Sequence, residues 1–256
     1  MQTLKGRTCI IIGATAGDGR EAAKKLCMGG MNVVIMTHNV PEAAQSLVDE
    51  IRASGATGMC EVVREGGGKA GEDHGECDLF GKIAEKYGSI DVLVVNNGGN
   101  GELAEIEDVT VEMLVEAVTQ LCSVPYGRLH SILPYLKQSK APRVIFMTTV
   151  EGRCGGTQES FTNAVGKGAA LSLALNCASR LAKYGITVNS ICKGAIPRVE
   201  PLKPNEPNPQ DRLPYIPLGR LGTPDDLAEA ICYLASEESA YLTGQVLNVS
   251  GGLYMG

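Results

Sequence analysis

Tryptophan is absent from the 256 residues, and only three phenylalanines and eight tyrosines supply aromatic volume. A core for a chain of this length must therefore be filled by Val, Ile, Leu, Ala and Met. Positive charge is also short. The 23 Lys and Arg against 29 Asp and Glu leave a net charge of -6, which argues against nucleic acid or an anionic membrane surface as the main partner. No apolar run reaches the roughly 20 residues that a bilayer span requires. The nine cysteines are odd in number and contain no C-x-x-C pair. That excludes a disulfide scaffold and fits reduced thiols, most of them small core residues, in a cytoplasmic protein. The opening MQTLKGR runs directly into an apolar strand pattern, so no secretory leader is expected.

Glycine, by contrast, is plentiful at 32 residues, and short β-branched runs alternate with helical stretches. Strands are expected at 8–12, 31–36, 58–63, 90–95, 143–147, 186–191 and 245–249. Helices are expected near 20–28, 41–53, 79–87, 111–121, 126–137, 164–184 and 224–235. The run Thr8-Cys9-Ile10-Ile11-Ile12 lacks polar alternation, as a strand buried on both faces requires. This rhythm predicts an α/β fold: a doubly wound parallel sheet of about seven strands with helices on both faces, in one domain over 1–256.

Two segments break the rhythm. Residues 65–76 are glycine-rich and acidic and read as a surface loop. His74 lies among its acids, but no ligand spacing accompanies it, so no metal is expected. Residues 197–217 hold seven of the twelve prolines, cannot form a regular helix and read as a loop on the substrate side.

The strongest motif follows the first strand. Gly13-Ala14-Thr15-Ala16-Gly17-Asp18-Gly19 leads into a helix, and its glycines permit a sharp turn and close approach of a ligand. The helix then offers unpaired N–H groups and a positive dipole end to a pyrophosphate. Between a strand and a helix, this loop predicts contacts from Gly13, Thr15, Ala16, Gly17, Asp18 and Gly19 to a dinucleotide.

The Gly-x3-Gly-x-Gly spacing resembles that of the short-chain dehydrogenase/reductase family, and the resemblance runs through nearly the whole chain. Asn96-Asn97-Gly98-Gly99 resembles the family's NNAG motif, and Asp78 looks like its adenine-contacting aspartate. Lys167 in VGKGAALSL is similar to the lysine that holds the nicotinamide ribose. Tyr184-Gly185-Ile186-Thr187-Val188-Asn189 and the stretch from Leu242 to Gly252 match the C-terminal third. The resemblance implies a Rossmann-type fold, an NAD(P) cofactor, a small-molecule substrate and a homotetramer or homodimer built on the helices at 111–137 and 164–184 and the last strand. It also implies cofactor contacts from Thr37, His38, Asp78, Asn97, Gly98, Lys167, Gly194 and Ile196.

The family's proton donor is a tyrosine four residues before the lysine; here that position is Asn163. An amide side chain forms hydrogen bonds but exchanges no proton near neutrality. No tyrosine lies between Tyr135 and Tyr184, and the seven-residue spacing of enoyl reductases falls on Ser160. The family's serine corresponds to Thr149, so Thr149, Asn163 and Lys167 form the expected catalytic set. The helical Asn falls at Gln120 or Leu121, the Pro of a Pro-Gly pair at Lys193, and a threonine position at Arg198. With Thr37-His38 where NAD enzymes carry an acid, and Arg20 nearby, NADP is favoured over NAD.

Three functions fit this pattern. The first is an oxidoreductase moving hydride between a nicotinamide cofactor and a small carbonyl or alcohol, with an altered proton path. The second is a dinucleotide-binding pseudoenzyme or sensor. The third is a non-redox isomerase or lyase using Glu151, Lys193, Arg198, Cys154 or Cys192, although each of those has a plainer reading as a surface charge or a packing residue.

Overall fold

The computed structural model describes residues 4–37, 41–64, 76–98, 105–155, 161–197 and 208–256. The expected alternation is present. In chain order the elements are β1 (Thr8–Ile12), α1 (Gly17–Met28), β2 (Asn32–Thr37), α2 (Pro41–Ala53), β3 (Cys60–Arg64), α3 (Glu76–Tyr87), β4 (Val92–Val95), α4 (Val111–Val118) and α5 (Val124–Leu136). There follow β5 (Arg143–Thr149), α6 (Glu151–Cys154), α7 (Phe161–Leu181), β6 (Thr187–Lys193), α8 (Pro224–Ala235) and β7 (Val246–Val249). The strands lie in the order β3-β2-β1-β4-β5-β6-β7, and every pair is parallel. Strand order reverses between β1 and β4, so the chain departs in opposite directions there and leaves a crevice at the carboxyl ends.

Period-two alternation sorts the strand residues between two cores. Cys9, Ile11, Val33 and Ile35 pack under α1, α2 and α8 with Leu26, Leu47, Ile51, Leu227 and Ile231. Ile10, Ile12, Val34 and Met36 face the other way, against Phe80, Leu129, Ile132, Ala174 and Ala178 from α3, α5 and α7. Both cores are overwhelmingly aliphatic, as the shortage of aromatics requires, and only Phe80 and Phe146 are aromatic among the large side chains buried to completion. The eight described cysteines are unpaired, and six of them are buried.

At the amino edge of the sheet, the buried Asp91 carboxylate accepts hydrogen bonds from Thr8 N–H at 2.8 Å, Ser89 Oγ at 2.7 Å and Ser139 Oγ at 2.5 Å. These bonds tie the start of β1 to the loop before β4 and to the segment after α5. Close by, Arg143 donates from Nε to the Ser236 carbonyl, and Arg7 donates to the carbonyls of Ala235 and Ala141. Among the described residues, no helix is long and apolar enough to cross a membrane.

Several boundaries differ from the sequence expectation. Helix α1 starts at Gly17 rather than near Arg20, because the glycine loop supplies its first turn. Helices α4 and α5 run into each other through one π-helical turn, Thr119–Ser123. Pro125 lacks the N–H that would close the regular ladder onto Leu121, and the wider turn absorbs that loss. The predicted loop at 197–217 is corrected over its last third, where Pro209–Tyr215 winds as a 3-10 helix capped by the Asn208 side chain. A 3-10 turn tolerates Pro209 at its first position, where no N–H is needed. The loop read at 65–76 lies outside the described residues except Glu76, which begins α3; residues 198–207 also lie outside them.

Candidate active site

The glycine loop sits where β1 enters the crevice. Gly13 has φ +78°, and a Cβ there would collide with the carbonyl oxygen of Asn96, so the loop closes onto β4 only with glycine. Asn96 Nδ2 donates back to the Gly13 carbonyl at 2.7 Å and locks the two chain segments together. Around Gly17, at φ +54°, and Gly98 beyond β4, a Cβ would meet nothing within 4 Å among the described residues. Ala16 caps α1 without a side-chain hydrogen bond, leaving the first-turn N–H groups of Gly17, Asp18 and Gly19 without a side-chain cap among the described residues. Thr15 lies between Ala14 and Ala16 on the half-exposed part of the loop.

A cavity of about 180 Å³ opens beside this loop, lined by Gly13, Thr37, Asn97, Gly98, Gln120 and Arg128 among others. It gathers four of the sequence-predicted contacts from three strand ends. Arg128 was not singled out by sequence, yet it is only 7% exposed. Burial pushes its guanidinium pKa down to about 10. A signal for it does exist: Arg128 lies on the buried stripe of α5 with Pro125, Ile132 and Leu136. A strongly basic residue on a core-facing stripe departs from the amphipathic pattern. Arg20, expected to face a ribose phosphate, instead pairs with Glu50 of α2. His38 lies outside the described residues. Asp78 falls in the first turn of α3.

The second cluster lies at the ends of β4, β5 and β6. Lys167, near the start of α7, is buried; its Nζ donates to the Asn97 carbonyl at 2.6 Å and to the Met147 carbonyl at 3.2 Å. Burial, reinforced by the positive charge of Lys193, brings its pKa down to about 7 against the attraction of Asp18, Glu151 and Cys192. Asn163 precedes it by one turn on α7. Thr149 ends β5 and is nearly buried. Three polar atoms here, Thr149 Oγ1, Asn163 Oδ1 and Asn97 Oδ1, are shielded from solvent without a hydrogen-bond partner among the described residues. Buried acceptors left in that state cost stability unless something else pairs with them.

The position expected to carry an asparagine falls in the π-turn. Gln120 gives its side-chain amide to Glu116 Oε1 at 2.9 Å, and its carbonyl accepts from Asn97 Nδ2 at 3.1 Å. Leu121 is buried and packs against Gly166 of α7. The remaining predicted contacts fall elsewhere. Gly194 packs on Ser250 after β7, and Ile196 lines a separate cavity of about 280 Å³ with Leu218, Arg220, Asp226 and Asn248. Of the acid–base candidates, Cys192 donates from Sγ to the Thr149 carbonyl at 3.0 Å, and Lys193 Nζ pairs with Asp18 Oδ2 at 2.6 Å. Cys154 Sγ donates to the Val150 carbonyl.

A parallel sheet wound in both directions, with a glycine turn ahead of its first helix, defines the Rossmann type of fold. A family model described as enoyl-(acyl carrier protein) reductase matches residues 13–254. L-Rhamnose 1-dehydrogenase (NAD(P)(+)) of Azotobacter vinelandii is 33% identical over 255 residues, covering 97% of either chain. The 3-oxoacyl-(acyl-carrier-protein) reductase FabG of Staphylococcus epidermidis is 27% identical over 251 residues, covering 97% of this chain and 99% of its own. A dehydrogenase/reductase from Sinorhizobium meliloti 1021 superposes with a TM-score of 0.87 at 23% identity, covering 99% and 98% of the two chains, and shares the fold. The chain belongs to the short-chain dehydrogenase/reductase family.

Proposed function

We propose that the chain is an NAD(P)-dependent oxidoreductase acting on a small carbonyl or alcohol, with a proton path that runs through Lys167 rather than a tyrosine. Membership in a family whose named relatives include an NAD(P)(+) dehydrogenase supports the reaction class. The arrangement of Lys167 carries the rest. A lysine held by two backbone carbonyls, its pKa brought down to about 7, follows by one helical turn Asn163, whose buried amide oxygen has no hydrogen-bond partner among the described residues.

The residues present fit a dinucleotide. Among the described residues, Gly17 and Gly98 leave open space, and the uncapped first turn of α1 offers N–H donors. Bound there, the nicotinamide supplies or accepts the hydride. Lys167 then holds or releases the proton of the substrate hydroxyl, an acid–base role open to a group whose pKa lies close to the working pH. The Thr149 hydroxyl and the Asn163 amide orient the substrate oxygen by hydrogen bonds, and neither exchanges a proton.

NADP is the favoured cofactor in this reading. Strand β2 ends on Thr37 with no carboxylate to claim the ribose hydroxyls. His38 follows it in sequence, and Arg128 lines the same cavity as Thr37. The test is a titration of the protein with NADPH and NADH, read by nicotinamide fluorescence. A blue shift and rise with NADPH at lower concentration than with NADH is expected. No binding of either at sub-millimolar concentration removes the reading.

A dinucleotide-binding subunit without turnover is the second reading, favoured by Asn163 at the position that the family resemblance gives to a tyrosine. In both readings the chain is one cytoplasmic domain that associates as a homotetramer or homodimer. Exposed Val111 and Val115 on α4, Val165 and Leu175 on α7 and Leu247 on β7 support association through these elements.

A further inference from the structure

Asp18 and Lys193 are 175 positions apart, and their side chains meet across the open edge of the sheet. Asp18 belongs to the first turn of α1, after β1; Lys193 ends β6. Strands β4 and β5 lie between β1 and β6, so the pair passes over the carboxyl ends of two strands, in the crevice where an open α/β sheet receives its ligand. The two partners differ in their surroundings. The Asp18 side chain is 7% exposed, whereas that of Lys193 keeps 32%.

This carboxylate stands among the uncapped N–H groups that would receive an anion. A negative charge there opposes a pyrophosphate, and a weakly screened site makes that opposition large. Lys193 is the cation that cancels it: its Nζ lies 2.6 Å from Asp18 Oδ2. Building on the dinucleotide reading above, we propose that the Asp18–Lys193 ion pair is a positioning element of the cofactor site, in which Lys193 neutralises Asp18 so that the start of α1 can accept the pyrophosphate of a dinucleotide. The affinity of this edge for an anion is then set from β6, a part of the chain remote from the glycine loop.

A merely structural tie and an electrostatic one predict different signs. If the pair only braces α1 against β6, breaking it from either side loosens the site. If it acts through charge, the two single variants move in opposite directions. Lys193→Met leaves a buried carboxylate uncompensated and weakens NADPH binding by about tenfold or more. Asp18→Asn removes the repulsion, frees a partly solvated lysine beside the phosphates, and tightens binding several-fold. The double variant returns to near the wild-type affinity.

The measurement is a fluorescence titration of the full chain with NADPH and NADH, beside thermal unfolding of each variant. Opposite shifts of the two single variants with restoration in the double variant support the proposal. Weakening by Asp18→Asn, or unchanged affinity in that variant, overturns it, and this arm stands even if Lys193→Met fails to fold. A wild-type chain that binds neither cofactor defeats the dinucleotide reading itself, a result distinct from a binding chain whose affinity ignores Asp18.

Discussion

Lys167 Nζ lies 2.6 Å from the carbonyl oxygen of Asn97, joining α7 to the segment that leaves β4. Two carbonyls satisfy part of the ammonium, but neither carries a full negative charge, so burial dominates and holds its pKa down to about 7 rather than the ordinary 10.5.

The first prediction concerns pH. With Lys167 as the acid, carbonyl reduction falls as pH rises through about 7, and alcohol oxidation falls as pH drops through the same value. Lys167→Met removes the inflection and lowers kcat by roughly 10²–10⁴-fold. Stability runs the other way from an ordinary ion pair. Between about 7 and 10.5 the unfolded chain binds more protons at this residue than the folded one, so its contribution to stability rises with pH across that window. Steady-state rates from pH 5 to 9, with urea unfolding at the same pH values, check both parts.

Asn163 gives the second prediction. Asn163→Tyr places a phenol one helical turn before Lys167, where the ammonium can depress its pKa. A rise in reductase kcat of about 10²-fold or more is expected from an added general acid. The assay is NADPH oxidation with a panel of small ketones and aldehydes. No gain across the panel, with cofactor affinity intact, excludes a scaffold that lacks only its acid.

The third prediction lies away from the chemistry. Asp91→Ala strips the shared acceptor from Thr8 N–H, Ser89 and Ser139. Leaving these donors unpaired in a buried setting costs about 3 kcal/mol. The urea midpoint falls accordingly, while the affinity of the folded protein for cofactor stays as in the wild type.

The sheet was legible because its strands are short β-branched runs, and β-branched runs separated by helical patterns have few alternatives. The glycine loop was legible for a related reason: Gly13 has a positive φ and no room for a Cβ, so its identity follows from the backbone. Lys167, Thr149 and Asn97 were marked by resemblance to the family's motifs, and the structure gathers them at one end of the sheet. Other features were hidden. The Asp18–Lys193 contact joins residues 175 apart, and no local pattern encodes such a pairing. Arg20 looked free to meet a phosphate until α2 brought Glu50 alongside. The π-turn depends on how Pro125 disrupts the ladder inside a helix, whereas proline in a sequence first suggests a break between two helices.

The hydrogen-bonded Asp91 and the buried Lys167 stand on opposite rims of the same sheet. Strands β1, β4 and β5 run from one to the other, so the rim that anchors the fold shares no side chain with the rim that faces a ligand. Inherited changes at the ligand rim can therefore retune or even abolish turnover while the Asp91 network, and its share of the folded half-life of the chain, is untouched. Changes at the other rim shorten that half-life without redirecting the chemistry. A lineage built on such a plan is free to exchange its reaction and keep its architecture.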